Sequence, residues 1–418
     1  MSHGLGPSAV VIGGGPAGLS SAISLASLGY STVVFERREI VDDERSYLYL
    51  IDPRGQRWLD RHGLTGKVRE VGISNRNYTV IRVPPEGPAS APIRPPIASE
   101  DAAWIPRAQF VELLKEAALA RGVSVVYEEG VVGEASIVVG ADGISSGVAE
   151  AMGAETSTLD SPSAGLMYKI INVPTNLETS GGETTARQAY SVPSIPEAKL
   201  RLGLLPVNDA FVDRRTANVI ADQDHPVWRG GLDMKTAFPQ IRWNQADLDR
   251  FDRLRPGKFP RPQYRNPVAA TTANGTRVFL VGDSAHAFPP DLGQGVNAAL
   301  EDALELEDCC RDMSTAVREY QSRRAPAARA LAHLVAVGFP YQYGQGTRLA
   351  RLRFMVGFFA RLALSRVPGL YGARPAVLQV LEGLPYDEVW RRAQRTTVAL
   401  RAAAIFLLAL GGLLMLVA

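Results

Sequence analysis

Three glycines follow an apolar stretch near the start of the chain, in the spacing Gly13-x-Gly15-x-x-Gly18. At a strand-to-helix turn, Gly13 permits a tight bend, Gly15 lets the backbone approach a pyrophosphate, and Gly18 lets the helix pack on the strand. Glu36 ends the next apolar stretch, where a carboxylate can accept hydrogen bonds from an adenosine ribose. The pattern predicts a dinucleotide site and does not by itself separate NAD from FAD.

A second turn with ligand-binding features lies in VFLVGDSAHAFPPDLGQGVNAALEDALEL, residues 278–306. A strand pattern ends at Gly282-Asp283, and a helix pattern begins at Gly293-Gln294-Gly295. The Asp283 carboxylate suits sugar hydroxyls, and backbone amides near the two glycines can approach a flat electron-accepting ring. These residues alone predict a second turn that faces a ligand.

The composition excludes several other classes of protein. The net charge of +2 gives no reason to expect a nucleic-acid partner, and the five histidines lack ligand spacing, so we expect no metal site. The cysteines are Cys309 and Cys310 alone, which rules out a disulfide framework and favours a reducing compartment.

The elements that must position the two turns alternate between strand and helix. Residues 9–36 are typical of a βαβ unit. Prolines between 72 and 97 indicate a loop that crosses out of the first domain. Short runs of alternating apolar and polar residues from 165 to 220 predict an antiparallel sheet. The fold class is therefore α/β, with a Rossmann-like domain and an inserted, mostly antiparallel β-sheet substrate domain. The predicted boundaries are 1–75, 105–160 and 271–335 for three parts of the nucleotide-binding domain, 76–104 for the crossing loop, 161–270 for the substrate domain, 336–397 for C-terminal helices and 398–418 for a membrane anchor.

The end of the chain has the composition of a membrane anchor. Residues 402–418 carry no charged side chain, and Val398 to Leu400 extend the stretch if Arg401 reaches the interface. We expect a tail-anchored protein, with the mitochondrial outer membrane as one candidate and a buried C-terminal helix as the alternative. By the positive-inside rule, the preceding arginines place the catalytic body on the cytosolic side: Arg391, Arg392, Arg395 and Arg401.

Three motifs together resemble those of the class A flavoprotein monooxygenases, which share the para-hydroxybenzoate hydroxylase fold. GGGPAG at 13–18 is similar to their ADP-binding fingerprint, VVGADGISS at 138–146 to their DG motif, and GDSAHAFPPDLGQGVNAALED at 282–302 to their GD motif. The resemblance covers most of the chain. It implies that FAD fills the first site, that Asp142 serves both FAD and NADPH, and that Asp283 holds the ribityl chain of the flavin.

The same resemblance implies which residues lie at the flavin ring. Pro289 lies beside the reacting edge, and Asn297 lies along the isoalloxazine with two glycines. The catalytic set so implied is Pro289, Gly293 and Gly295. The cofactor-binding set is Gly13, Gly15, Gly18, Glu36, Arg37, Arg45, Arg107, Asp142, Asp283, Gly293, Gly295, Val296 and Asn297. His286 is interpreted as structural, because flavin hydroxylation requires no protein base at that position.

Within the family, the chain most resembles kynurenine 3-monooxygenases and related proteins. ERSYLYLIDPRGQRWLDRHGL at 44–64 is similar to the segment that places an arginine near the flavin, here Arg45, and IPRAQFVELL at 105–114 offers Arg107 as a second. LPYDEVWRRAQ at 384–394, followed by the apolar tail, is similar to the membrane-anchored end of those enzymes.

The chain departs from that resemblance at two places. In GISNRNYTV, residues 72–80, Arg76 matches one arginine of the substrate site, but Tyr78 stands where an arginine should clamp the substrate carboxylate. Arg76 and Tyr78 are therefore the substrate-binding candidates, and we expect kynurenine to be a poor substrate. The interval between Gly122 and Asp142 is also shorter than the family usually has.

The function implied is an FAD-dependent, NADPH-consuming monooxygenase. It passes one atom of O2 from the flavin C4a carbon to an aromatic or apolar organic substrate. Two alternatives stay open: an epoxidase of a lipid-soluble substrate, and a membrane-tethered flavin-binding protein without turnover. The expected partners are the small-molecule substrate, O2 and a membrane, with no nucleic acid.

Overall fold

The computed structural model describes residues 8–39, 47–94, 101–127 and 135–417. In these ranges the strands are β1 (Ser8–Ile12), β2 (Ser31–Phe35), β3 (Leu48–Ile51), β4 (Ile73–Ser74), β5 (Val80–Arg82), β6 (Ala103–Pro106), β7 (Ser124–Val126), β8 (Ile137–Gly140), β9 (Glu155–Thr158), β10 (Met167–Pro174), β11 (Glu178–Thr179), β12 (Gly182–Glu183), β13 (Ala189–Pro193), β14 (Arg201–Leu204), β15 (Arg214–Ala221), β16 (Gly257–Lys258), β17 (Gln263–Asn266), β18 (Ala269–Thr271), β19 (Arg277–Leu280) and β20 (His286–Ala287). The helices are α1 (Pro16–Ser27), α2 (Pro53–Arg61), α3 (Thr65–Val71), α4 (Arg107–Leu119), α5 (Gly147–Ala151), α6 (Met234–Ala237), α7 (Gln245–Arg253), α8 (Gly295–Cys310), α9 (Ala316–Gly338), α10 (Arg348–Leu364), α11 (Ala376–Leu381) and α12 (Tyr386–Val417).

A six-stranded sheet in the order β18-β19-β8-β1-β2-β7 forms the centre of the nucleotide-binding unit. The pairs β1–β2, β1–β8, β8–β19 and β2–β7 are parallel, and the edge strand β18 is antiparallel to β19. Val11, Val139 and Phe279 are buried in its core because strands covered by helices on their faces must be apolar. The strands of this sheet come from three separate parts of the sequence, and the α/β prediction is confirmed.

A second six-stranded sheet, in the order β16-β10-β15-β14-β13-β5, carries the inserted unit. Its pairs are antiparallel except β13–β5, which is parallel. Ile171 and Val173 on β10 are fully buried and pack in one cluster with Phe251 of α7, and Asn172 between them is more exposed, as expected for a face of the sheet that is turned to the core. This sheet is mostly antiparallel, as expected, and its role as a substrate domain stays a prediction.

The stretch predicted as a crossing loop contains more structure than its prolines indicated. Val80–Arg82 forms β5 at the edge of the second sheet, because this β-branched run finds the edge strand β13 as a partner. Ala103–Pro106 forms β6, which pairs with β3 and β4 in a small three-stranded sheet. The chain therefore crosses between the two units as paired strands and not only as a loop.

The C-terminal region consists of α9 to α12. Residues of α9, α11 and α12 form a common apolar cluster, whereas α10 contains no fully buried residue. In the parts of the chain that the structure describes, no helix is long and apolar enough to span a membrane. The predicted anchor at 398–418 is therefore not supported; the side chains of 407, 408 and 410–418 lie outside the described residues.

Candidate active site

The first glycine turn lies where β1 meets α1, and its glycines serve two purposes. Gly13 has a φ of +108°, a backbone conformation that favours glycine, and a Cβ at Gly18 would stand 1.8 Å from the Gly13 carbonyl oxygen. A Cβ at Gly15 would meet no protein atom within 4 Å. Gly13 and Gly18 are therefore required by the fold itself, whereas Gly15 borders open space that a pyrophosphate fits.

Glu36 lies beside this turn, directly after β2. Its carboxylate accepts hydrogen bonds from the backbone N–H of Gly14 at 2.7 Å and of Arg38 at 2.9 Å. These bonds hold the carboxylate at the edge of the open space, and its remaining lone pairs are free to accept from ribose hydroxyls. The neighbouring Arg37 is exposed, and its role in cofactor binding stays a prediction.

The second turn presents bare backbone to open space as well. Pro289 is buried, Pro290–Leu292 forms a 3-10 turn, Gly293 follows with a φ of +62°, and α8 begins at Gly295. A Cβ at either of these glycines would meet no protein atom within 4 Å. The N-terminus of α8 thus offers uncovered amides, which suit the electron-rich edge of an isoalloxazine ring. We call residues 289–295 the flavin loop.

A polar cluster lines the cleft between the two turns. Arg107 donates a side-chain hydrogen bond to Tyr49, and its charge acts on Asp283. Burial raises the pKa of Asp283, and the charges of His286 and Arg107 offset part of that rise. Asp283 and Tyr47 lie deep within surrounding protein yet remain solvent-accessible, as expected for side chains that line a cleft. The structure therefore brings the predicted residues Arg107 and Asp283 together.

The DG motif is tied to the GD motif through a serine. Asp142 accepts hydrogen bonds from the hydroxyls of Ser146 at 2.5 Å and Ser284 at 3.1 Å, and Ser284 accepts one from the Gly143 N–H at 2.9 Å. The buried Arg265 donates to the carbonyl of Ser284 at 2.7 Å. The Asp142 carboxylate thus joins the two motifs, and its own contact with FAD or NADPH stays a prediction.

Val296 and Asn297 are buried in the first turn of α8. The Asn297 amide donates to the carbonyl of Leu50 at 2.8 Å and accepts from the N–H of Asp52 at 3.0 Å. Its side chain therefore holds the β3–α2 corner against α8. Contacts between these two residues and the flavin stay a prediction, and their backbone atoms are the ones that would make them.

A buried network of charged side chains from α8 and α9 stabilises the turn at Gly282-Asp283. Asp302 of α8 accepts hydrogen bonds from the N–H of Gly282 at 2.8 Å and from Arg324 at 2.7 Å, and its carboxylate lies 2.8 Å from His286 Nε2. Burial alone would raise the pKa of Asp302, but Arg324 and His286 bring it below its usual value. This geometry agrees with a structural role for His286.

The substrate-binding candidates lie at the crossing between the two units. Tyr78 stacks on Trp104 of β6 with ring centroids 4.9 Å apart. Trp104 pairs with Leu50 and belongs to an apolar cluster with residues of the second unit, so this stack faces the substrate sheet. Arg76 is 64% exposed and lies 3.8 Å from Asp101. Arg45 lies outside the described residues.

The flavin loop also contains a carboxyl group that the sequence reasoning overlooked. Asp291 is buried, and its Oδ1 accepts a hydrogen bond from Gln342 at 3.1 Å in the segment after α9. Burial raises the pKa of Asp291 to about 6, although the neighbouring Ser163 and Gln342 side chains lower it somewhat. Ser163 also accepts from Gln345 at 2.8 Å, so the loop, the second unit and the C-terminal region meet at Asp291.

The fold and the two turns define a Rossmann-type protein that holds a dinucleotide with a flat ring system. Open space beside Gly15, near Glu36, and beside the glycines of the flavin loop suits the two halves of a dinucleotide such as FAD. The chain belongs to the FAD binding domain family, whose model matches residues 7–135 and 133–333. The two matched stretches meet within the short interval noted between Gly122 and Asp142.

Curated relatives of this chain are monooxygenases. The chain is 27% identical over 438 residues to the kynurenine 3-monooxygenase of Salinispora arenicola, which covers 94% of this chain and 92% of that protein. It is 28% identical over 232 residues to the mitochondrial ubiquinone biosynthesis monooxygenase COQ6 of Caenorhabditis elegans, covering 48% and 49%. The protein is an FAD-dependent monooxygenase similar to kynurenine 3-monooxygenases, so the predicted family and enzyme class are confirmed.

Solved structures share the fold. A tetrameric form of 2-methyl-3-hydroxypyridine-5-carboxylic acid oxygenase has a TM-score of 0.61 at 19% identity, covering 89% of this chain and 96% of that one. The tetracycline destructase Tet(51) has a TM-score of 0.62 at 15% identity, covering 92% and 98%. The architecture is therefore shared along nearly the whole chain.

Asp291 makes the stability of the protein depend on pH. Because its pKa is raised when folded, the folded state keeps a proton that the unfolded state releases, and stability falls as pH rises from about 4 to about 6. Asp291→Asn removes this dependence. The wild-type free energy of unfolding, measured in urea relative to the variant, should fall by about 2 kcal/mol between pH 4.5 and pH 7.5. A constant difference over that range would contradict the assignment.

Proposed function

We propose that the protein uses NADPH and O2 to hydroxylate an aromatic or other apolar organic substrate that lies between the flavin loop and the second sheet. The observation that carries this proposal is the aromatic lining of that region. Tyr343 packs on Phe259 at 5.6 Å between ring centroids, and Phe259 packs on Tyr168 of β10 at 5.2 Å. Tyr49, burial, Asp283 and, least, Tyr168 raise the pKa of Tyr47 well above its usual value, so Tyr47 lies in the electrostatic neighbourhood of Asp283 and Tyr168. A flat apolar substrate is stabilised by such rings.

Each group of residues has a separate task in this proposal. FAD, when bound, supplies the redox and oxygen-transfer chemistry. The glycine turn and Glu36 would bind the adenosine diphosphate half, while Asp283 and Arg107 would hold the sugar chain. The amides at the start of α8 would stabilise negative charge on the flavin, and the aromatic residues would orient the substrate and exclude water.

The substrate site favours an acceptor that has no carboxylate, because Tyr78 stands where an arginine would bind one. Tyr78 offers one hydroxyl where a guanidinium would make two charged hydrogen bonds, and burial raises its pKa, so it stays neutral. Arg76 is the nearest cation in sequence, and its side chain is largely exposed. Kynurenine is therefore a poor substrate, and phenols, other aromatic compounds and isoprenoids are better candidates.

Turnover under 18O2 tests this proposal. NADPH oxidation by the purified holoenzyme should be slow alone, should accelerate with a phenol or isoprenoid acceptor, and should place one 18O atom in the product. Kynurenine should show a KM about tenfold or more above the best acceptor, because a lost charged hydrogen bond costs about 1.5–3 kcal/mol. Tyr78→Arg is the matched variant and should lower the KM for kynurenine.

Two results would contradict the proposal. If no acceptor in these classes gives a labelled product, the alternative of a flavin protein without turnover becomes the better account. If kynurenine saturates the enzyme at micromolar concentration and Arg76→Ala does not change this, the argument from the missing clamp fails.

We also propose that the protein lies on a membrane surface through α10 and the C-terminal half of α12. Support comes from the exposed apolar side chains of α10, such as Leu349 at 74% and Val356 at 62% exposure. The arginines at 348, 351 and 353 lie on the same helix, and such a combination binds an interface with anionic lipids. A tail anchor at 398–418, its orientation and the identity of the membrane stay predictions.

Vesicle sedimentation tests the surface. With phosphatidylserine-containing vesicles, the combined change Leu352→Asp and Val356→Asp should release most of the bound protein, because both side chains must otherwise enter the lipid. Phe211→Asp is a matched control, since Phe211 is an exposed apolar residue of the second unit. Truncation after Arg395 should weaken binding further and leave FAD in place. Unchanged sedimentation of the double variant would overturn this proposal.

A further inference from the structure

The side chain of Gln294 stands at the centre of the flavin loop, between its two open glycines, and is fully buried. Its amide nitrogen donates to Asp52 at 2.8 Å and to the Leu292 carbonyl at 3.2 Å, and its oxygen accepts from the Tyr386 hydroxyl at 2.8 Å. The glycines on either side of Gln294 border open space, while its side chain is anchored in the protein interior.

Tyr386 belongs to the first turn of α12 and is itself fixed on several sides. Its ring lies under the Arg54 guanidinium, 3.7 Å from the carbon to the ring centroid, and Arg54 also hydrogen-bonds the carbonyl of Leu384. Burial raises the pKa of Tyr386 well above its usual value, so the hydroxyl keeps its proton and donates to Gln294. A contact between α12 and the flavin loop is thus built from completely buried groups.

Asp52 extends the same contact to the other wall of the cleft. It caps the N-terminus of α2 by accepting from the N–H groups of Arg54 and Gly55, and it follows β3 directly. Asn297 of α8 accepts from the Asp52 N–H and Gln294 donates to the Asp52 carboxylate, so α8 and the flavin loop are both tied to the β3–α2 corner. Because a buried acceptor left without its donor costs more than an average hydrogen bond, the loop geometry depends on all three side chains.

We propose that Tyr386 is a positioning residue for the flavin and acts through Gln294, so that the start of α12 sets the affinity and the reduction potential of FAD. This rests on the proposed placement of the ring at the flavin loop. The amides at the start of α8, which begins at Gly295, would stabilise negative charge on a bound ring only if they are held at the correct distance. Residues far along the sequence from both cofactor motifs thereby tune the cofactor.

The test is FAD titration and potentiometry of purified Tyr386→Phe, which removes one hydroxyl and keeps the aromatic ring over Arg54. The FAD dissociation constant should rise about tenfold, and the flavin midpoint potential should fall, because the amides stabilise the reduced ring less well. Tyr190→Phe is the matched control: Tyr190 is buried, accepts from the Thr185 N–H at 2.9 Å and lies in the second sheet. It should leave both flavin values unchanged.

The same substitution made in the Gln294→Leu variant distinguishes a positioning role of Tyr386 from a general effect on protein stability. In Gln294→Leu, the further change Tyr386→Phe should have no effect on FAD affinity, because the hydroxyl has lost the group through which it acts. The proposal is overturned if Tyr386→Phe binds FAD with wild-type affinity and potential, or if its effect persists in the Gln294→Leu background. Failure of the wild type to bind FAD would instead refute the placement of the cofactor itself.

Discussion

The pairing of two adjacent buried carboxylates on α8 with arginines of α2 and α9 supports both halves of the cofactor cleft. Glu301 lies 2.5 Å from Arg54 and 2.8 Å from Arg324, and Asp302 also binds Arg324. Asp302 additionally accepts from the Gly282 N–H, which fixes the turn that carries Asp283. Removing one partner of such a group leaves an uncompensated buried charge, at a cost of about 3–5 kcal/mol. The position of Asp283 therefore depends on this network.

The network also explains why regions far apart in sequence form one site. Arg54 pairs with Glu301 and at the same time lies against Tyr386, so α2, α8 and α12 meet at one guanidinium. The glycines of the two turns then face the cleft from a rigid frame. A cofactor that binds by backbone amides needs such a frame, because amides can stabilise a developing charge only from fixed positions.

The sequence was sufficient for the nucleotide-binding half because glycine spacing and β-branched runs act locally. Gly13, Gly15 and Gly18 lie at the strand-to-helix turn where the pattern placed them, and Arg107 and Asp283 meet as the family resemblance implied. The roles of Gln294, Asp291 and Tyr386 were missed, because their partners are fixed only by tertiary packing. The adjacent acidic pair at Glu301-Asp302 on an otherwise apolar helix face was the signal that buried cations must lie nearby.

The predictions of a crossing loop and of a membrane span differed from the structure for other physical reasons. The prolines before residue 97 marked a loop, yet Val80–Arg82 joined the second sheet, since a short β-branched run pairs wherever an edge strand is available. The apolar composition of the tail indicated a membrane span, but the composition of a helix does not determine whether lipid or other parts of the protein pack against it. The arrangement of α10, with no fully buried residue, could not be read from the sequence because it depends on which faces the other helices already occupy.

The open space beside Gly15 and beside the flavin loop is expected to hold one FAD per chain. The most direct measurement is the flavin content of purified wild type, of Gly15→Val, and of Gly66→Val as a control whose Cβ would also meet no protein atom within 4 Å. We predict one FAD per chain in the wild type and in Gly66→Val. In Gly15→Val we predict a folded protein without flavin, because the two methyl groups occupy the pyrophosphate position. Stoichiometric FAD in Gly15→Val, or none in the wild type, would contradict this account.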